Sequence, residues 1–399
     1  MKDEKRKNLK FDSKAIYYPH DKGSRSIGAP IFMSSSFQYG ADVYNQVVDG
    51  ERKSVNIYGR CGNPNEYQFE EQMIMIEGAD ACLATASGMA AISVALFGLL
   101  KSGDHIVCDW TTYSSTHEML DHRLTDYGIE TTFVDTSDLE SVKKAINENT
   151  KVLYFESIAN PSMKVPDFDA LVDIAHSNYI VVVCDNKFAS PYVIRPLDWG
   201  VDIIIESATK FIGGHNDALG GVIAMKSNLL PPDFMEQIRW NTMVKWGSPL
   251  SPFNAWVLLR GIQTLPVRLE RQCKTAMILA EHFSSHDKIK RVWYPGLDSH
   301  PQHELAKKQM PKFGGMLTFE VDNGDDALTV LDKLELACFA ASLGGVRTTT
   351  QIPATMAFLD ISEEERQEMG IYQGMIRVST GLEDPDDLIA DFNIALSLI

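Results

Sequence analysis

Three short apolar runs stand out in the middle of the chain: KVLYFES (151–157), YIVVVCD (179–185) and VDIIIES (201–207). Each is nearly continuous rather than alternating and is rich in β-branched residues, the pattern of strands buried on both faces. Between such runs lie stretches of helical period, for example LESVKKAI (139–146) and FDALVDIAH (168–176). The alternation predicts an α/β unit whose parallel sheet is covered by helices, and sheets of that kind bind ligands beyond the carboxyl ends of their strands. Further on, GGMLTFEV (314–321) and MIRVST (375–380) read as strands among amphipathic helices. The chain thus divides into a polar, irregular arm without helical period (1–62), an α/β domain (63–255) and a smaller α+β domain (256–399).

Two helices have legible ends. Asn63-Pro64-Asn65-Glu66 sets out an N-cap, a first-turn proline and a carboxylate that reaches back, followed by the stripe Phe69, Met73, Ile76 and a terminating Gly78. The last helix starts at Asp384, with Pro385 in its first turn and Asp386 and Asp387 at its positive end.

Composition narrows the function. A length of 399 residues with 44% hydrophobic and 23% charged residues fits two or three packed units with ample core. A net charge of −17 argues against nucleic acid, whose phosphates need a basic surface. The lysine-rich first ten residues read as a solvated tail. The start MKDEKRKNLK has no apolar core, so it is not a secretory signal, and no stretch approaches the roughly 18 apolar residues of a membrane span. Cys61, Cys82, Cys108, Cys184, Cys273 and Cys338 lie far apart with no CxxC pair, which speaks against a zinc site or a disulfide scaffold. Free thiols in apolar runs suit a reducing compartment, and a cytoplasmic location is expected.

Candidate chemistry gathers at strand ends. Lys210, in Ser207-Ala208-Thr209-Lys210, follows the run VDIIIE, where burial and a nearby cation would free its amine for Schiff-base formation. Ser207 and Thr209 offer hydroxyls to a phosphate. Asp185 closes YIVVVCD, and a carboxylate there needs a partner, either a protonated pyridine nitrogen or, as a helix N-cap, backbone N–H groups. Ser87-Gly88-Met89 forms a turn between a strand-like and a helix-like segment, where free N–H groups and the helix dipole favour an anion. Singly each is weak. Together they are the parts of a site for pyridoxal 5′-phosphate (PLP).

From about residue 26 onward the chain resembles the PLP-dependent transsulfuration enzymes of cysteine and methionine metabolism. The markers run in order: Tyr58-Gly-Arg60-Cys-Gly-Asn63-Pro64, Ser87-Gly88-Met89-Ala90-Ala91, Glu156 to Asn160-Pro161, and Cys184-Asp185-Asn186-Lys187-Phe188 to Pro191. Arg195-Pro-Leu, Ser207-Ala-Thr209-Lys210-Phe211 to Asp217, Ser342-Leu-Gly-Gly345 and Ile376-Arg377-Val-Ser379 to Glu383 complete the series. The group includes cystathionine γ-lyases, cystathionine γ-synthases and methionine γ-lyases. The resemblance implies a fold type I PLP enzyme with a large, mostly parallel-sheet cofactor domain.

It also implies the roles. Lys210 carries PLP as a Schiff base and shuttles protons, Asp185 pairs with the pyridine nitrogen, and Tyr113 stacks on the ring and acts as acid or base. Ser87, Gly88, Met89, Ser207 and Thr209 hold the phosphate, and Tyr58 and Arg60 reach the phosphate of a neighbouring subunit. Arg377, helped by Asn160 and Ser342, takes the substrate carboxylate. The expected assembly is a homotetramer built as a dimer of dimers, with the arm clasping a neighbour.

The expected reaction is γ-elimination or γ-replacement on an L-amino acid with a leaving group at Cγ. β-Elimination of a cystathionine-like substrate is the alternative, with a non-catalytic PLP-fold binding protein behind it. Several positions depart from the family pattern. Ser115 stands where methionine γ-lyases carry a cysteine, which counts against that activity. Asn65 and Lys187 each replace a usual threonine, and Arg347 falls where cystathionine-using relatives have a glutamate near the distal end of the substrate. Arg347 therefore reads either as a contact for an anionic distal group or as a solvent-facing arginine.

Overall fold

The computed structural model describes residues 8–17, 26–50, 55–359 and 361–399. Residues 1–7 of the expected tail lie outside them. Seven strands form the larger sheet: β1 (Ala81–Thr85), β2 (His105–Asp109), β3 (Glu130–Val134), β4 (Thr150–Glu156), β5 (Val181–Asp185), β6 (Ile203–Glu206) and β7 (Gly221–Met225). Their order is β1-β7-β6-β5-β4-β2-β3. Strands β2 to β6 pair in parallel, while β7 runs antiparallel to both its neighbours, β1 and β6.

The continuous apolar runs serve two cores at once. Leu153, Phe155, Val182, Cys184 and Ile204 point into one cluster, with Phe69, Met73 and Ile76 of helix α1 (Pro64–Glu77). The alternate residues Val152, Tyr154, Val183, Ile203 and Ile205 point into the other, with Ile92 and Leu96 of α2 (Gly88–Leu99). A period of two along each strand forces this division, so the middle positions of these strands are apolar on both faces.

Five strands make the second sheet: β8 (Arg291–Trp293), β9 (Met316–Glu320), β10 (Cys338–Phe339), β11 (Thr349–Gln351) and β12 (Met375–Ser379), in the order β10-β11-β12-β9-β8. Helices α3 (Leu265–Ser284) and α4 (Pro385–Leu396) cover it, packing Phe283 and Phe392 against Phe319 of β9. Each such side chain, fully buried, contributes roughly 1.5–3 kcal/mol.

Helix α1 starts as expected, with Asn63 Oδ1 accepting from the Asn65 N–H, and ends at Gly78 with φ +69°. Glu66, however, does not reach back to the cap. Its carboxylate is buried and accepts from Arg239 Nη1 at 3.1 Å, because that guanidinium also holds Glu70 and draws both carboxylates inward. The arm is also less irregular than its sequence suggests, since Phe11–Ile16 and Ala41–Val48 are helical. The second of these buries none of its residues, so it rests on local hydrogen bonds rather than on an apolar stripe. At the other end Asp384 caps α4 through the Asp386 N–H.

Candidate active site

The carboxyl ends of β4, β5 and β6 carry Glu156, Asp185 and Glu206, and the chain leaves β6 through Ser207 to Lys210. Above them opens a cavity of about 520 Å³. It brings together Ser87, Gly88, Met89, Tyr113, Asn160, Asp185, Ser207, Thr209, Lys210, Ser342 and Arg377, eleven of the residues singled out in the sequence.

The end of the cavity at Ser87, Gly88, Ser207 and Thr209 is built by close approach. Ser87 caps α2, accepting from the Ala90 N–H at 3.1 Å, which leaves the first turn facing the cavity. A Cβ on Gly88 would stand 2.9 Å from Ser207 Cβ, so only glycine lets the helix start and the Ser207 hydroxyl converge. Thr209 Oγ1 accepts from the Gly220 N–H at 3.1 Å, which fixes the turn before Lys210.

Lys210 Nζ donates to Ser342 Oγ at 2.9 Å. Burial, then the cations Arg377 and Lys187, push its pKa down to about 8 against the pull of Asp185. Ser342 has φ +95°, a strained value for a side chain with a Cβ. That conformation aims its hydroxyl at Lys210 while its carbonyl accepts from Arg377 Nη2 at 3.3 Å.

Arg377, on β12, also donates to Asn160 Oδ1 at 3.1 Å and to Gln351 Oε1 at 2.7 Å. Burial lowers its pKa to about 10. None of the ion pairs among the described residues involves it, and its buried Nε has no hydrogen-bond partner. Arg377 thus presents a fixed guanidinium to the cavity with no carboxylate beside it among the described residues. Tyr113 sits at the start of a short helix (Ser114–Glu118), and its backbone N–H donates to Glu156 Oε1 at 2.8 Å.

The remaining residues stand apart. Tyr58 is 46% exposed, the Arg60 guanidinium lies 5.7 Å from its ring, and Arg60 Nη1 donates to the Val244 carbonyl at 2.6 Å. Neither lines the cavity of its own chain. Arg347 is exposed and also outside the cavity, because Thr348 beside it turns inward to bond Glu383 through both N–H and hydroxyl at 2.7 Å.

Sequence reasoning passed over Gln351, which carried no motif, and gave no place to Lys187. The Lys187 ammonium is buried 2.9 Å from Asp185 Oδ2 and 2.5 Å from Glu156 Oε1. Behind the cavity, Arg268 of α3 clasps the turn after Lys210, donating to the carbonyls of Phe211 at 2.8 Å, Ile212 at 3.3 Å and Gly261 at 2.9 Å.

The chemistry of this donor set fits PLP: an amine poised to lose its proton, a helix start narrowed to glycine, and a carboxylate at a strand end between them. The chain belongs to the PLP-dependent enzymes of cysteine and methionine metabolism, whose family model matches residues 13–397. It is an enzyme that uses pyridoxal phosphate, with the fold type I architecture of that group.

Among its relatives is an L-methionine gamma-lyase of Fusobacterium nucleatum subsp. polymorphum, 41% identical over 382 residues, 94% of each chain. A cystathionine beta-lyase of Bacillus subtilis is 38% identical over 98% of this chain and 97% of its own. A crystal structure of cystathionine gamma-lyase from Lactobacillus plantarum superposes with a TM-score of 0.91 at 34% identity, covering 98% of this chain and 99% of that one. A structure from Campylobacter jejuni, described as an O-acetylhomoserine (thiol)-lyase and carrying a pyridoxyl-lysine phosphate, gives 0.93 at 33% identity, covering 98% and 100%.

Proposed function

We propose that this enzyme eliminates or replaces the γ-substituent of an L-amino acid, and that the substituent is neutral and apolar, as in methionine. The observation that carries the substrate class is how the charges in the cavity are used. Asp185 and Lys187 stand at one end, Lys210 at the reacting centre and Arg377 at the carboxylate site, and the lining around them is Leu219, Leu343, Met356, Ala357 and Leu359 with Ser114 and Ser115. Among the described residues no further charged side chain lines the cavity for an ionic distal group, and the exposed Arg347 lends no support to an anionic one. Similarity to enzymes named for methionine runs against the expectation drawn from Ser115.

When bound, PLP supplies an electron sink for the pair left on the substrate carbon. Arg377 holds the α-carboxylate through its remaining N–H groups, with Asn160 and Gln351 fixing the guanidinium plane. Lys210 Nζ takes the Cα proton, since an amine with a pKa of about 8 is partly neutral near pH 7, and once that proton has been passed on it takes one from Cβ, whose electron pair expels the γ-substituent. The Tyr113 hydroxyl or Lys210 returns a proton to the departing group. Gly88, Met89, Ser207 and Thr209 would hold the cofactor phosphate, and Asp185 its ring nitrogen. Phe188 and Leu343 give the cavity part of its apolar lining.

A panel of methionine, cystathionine, O-acetylhomoserine and O-phosphohomoserine, scored for ammonia, oxo acid and new amino acids, tests this reading. We expect 2-oxobutanoate, with methionine ahead of cystathionine. Pyruvate as the sole oxo acid would establish β-elimination instead, the reading favoured by the relative from Bacillus subtilis.

The same proposal extends to assembly. Ile27, Met33, Tyr44, Val48 and Tyr58 of the arm are exposed on one chain, as are Trp246 and Phe253. Such surface suits burial against a second copy, with Tyr58 and Arg60 completing its phosphate site in a homotetramer. An active monomer in sedimentation would refute it. A cytoplasmic location accords with six free cysteines, and among the described residues no helix is long and apolar enough to cross a membrane.

A further inference from the structure

Lys187 occupies the site without a part in the chemistry above. Its ammonium bridges Glu156 and Asp185, which face each other across adjacent strands β4 and β5. The side chains are 8%, 2% and 3% exposed, so solvent screens the trio very little. Lys187 also lines the cavity, 5.6 Å from the centre of the Tyr113 ring. Both oxygens of Asp185 already accept from residue 187, Oδ1 from its N–H at 3.1 Å and Oδ2 from its Nζ at 2.9 Å. Any further donor to Asp185 must share an oxygen with it.

We propose that Lys187 is a positioning residue that divides the Asp185 carboxylate between its own ammonium and the ring nitrogen of the cofactor, loosening that nitrogen's hold on its proton. The inference rests on Asp185 facing the ring nitrogen. A cation touching the same carboxylate repels the ring proton, and like charges within about 4–6 Å disfavour the charged form. Glu156 balances the ammonium from the far side of the bridge. The other groups facing the trio are Lys210 and Arg377 across the cavity, Glu206 at the end of β6, the hydroxyls of Tyr113 and Tyr154, and the Cys184 thiol. Among the described residues, only residue 187 hydrogen-bonds to both carboxylates and so couples them. A ring that releases its proton more readily draws electrons less strongly. Lys187 thereby tempers the electron sink rather than binding substrate.

Nuclear magnetic resonance of the holoenzyme, loaded with PLP carrying nitrogen-15 in the ring, reads the protonation of that atom directly as pH is varied. Replacing the ammonium by a neutral chain, Lys187→Met or Lys187→Gln, should raise the pH at which the proton is lost by about 1–3 units. Lys187→Arg should restore the native value, which a purely structural role would not require. Two neutral variants guard against one that fails to fold. An unchanged midpoint in them overturns the proposal, as does a native nitrogen that keeps its proton throughout the folded range. Asp185→Asn separates the two readings: if it too leaves the nitrogen signal unmoved, Asp185 does not face the ring, and the fault lies with that premise.

Discussion

Removing the guanidinium of Arg377 should change the basicity of a different residue, Lys210. In the apoenzyme the Lys210 amine lies near a pKa of about 8 rather than the ordinary 10.5, with burial the first cause and Arg377 the second. At pH 7 roughly a tenth of such amines are neutral, against about one in 3,000 at the ordinary value, a gain of roughly 300-fold in the reactive form. The pH profile for the rate at which apoenzyme captures pyridoxal phosphate, followed by absorbance, should therefore turn over near pH 8. In Arg377→Met the midpoint should rise but stay below 10.5, because burial remains. The same shift governs stability. A lysine whose folded pKa is depressed contributes its full stability above the unfolded value and loses it as pH falls toward the folded one. Between pH 10.5 and about 8 the apoenzyme should lose roughly 3 kcal/mol on this account, and Lys210→Met should make it more resistant to urea at pH 7. A native midpoint near 10, or one that falls in the arginine variant, would refute the reasoning.

Other perturbations act away from that amine. Arg239→Met strands Glu66 and Glu70 in the core and should cost about 3–5 kcal/mol in denaturant unfolding, since it removes one side of a buried ion network. Gly88→Ala pushes α2 away from Ser207 and should weaken PLP retention in equilibrium dialysis while leaving the helical circular dichroism intact. Asp391→Ala leaves the N–H groups of Glu335, Leu336 and Ala337 without their acceptor, and a loss of about 1–3 kcal/mol or more is expected in the same unfolding assay.

The strands were legible because two-sided burial leaves a plain mark, an unbroken apolar run such as VVVCD or IIIE. The antiparallel course of β7 was not, since nothing in GVIAM encodes the direction of its neighbours. Asn63 and Asp384 revealed helix starts because capping is local, within two or three residues. Glu66 misled for the complementary reason: its partner Arg239 is 173 residues away. That Lys210, Asp185 and Gly88 meet in one cavity could be read from their strand-end and helix-start positions, where open sheets gather side chains. Gln351 stayed hidden because its role is only to orient Arg377, and any residue with a carbonyl at that distance would serve. Lys187 was visible as a departure, but its meaning depends on two strands lying in register.

Arg268 fills the space behind the reactive amine with a charge answered by main-chain oxygens, and burial alone holds its pKa down to about 10. It acts as a tethered counterpart to a metal ion in a loop, seated there by helix α3 of the smaller sheet's layer. Gly214 lies hard against that guanidinium, with no room for even a methyl group. Any shift of α3 is therefore transmitted to the anchor of Lys210, so changes at a distance from the cavity can detune the amine without touching a single residue that lines it.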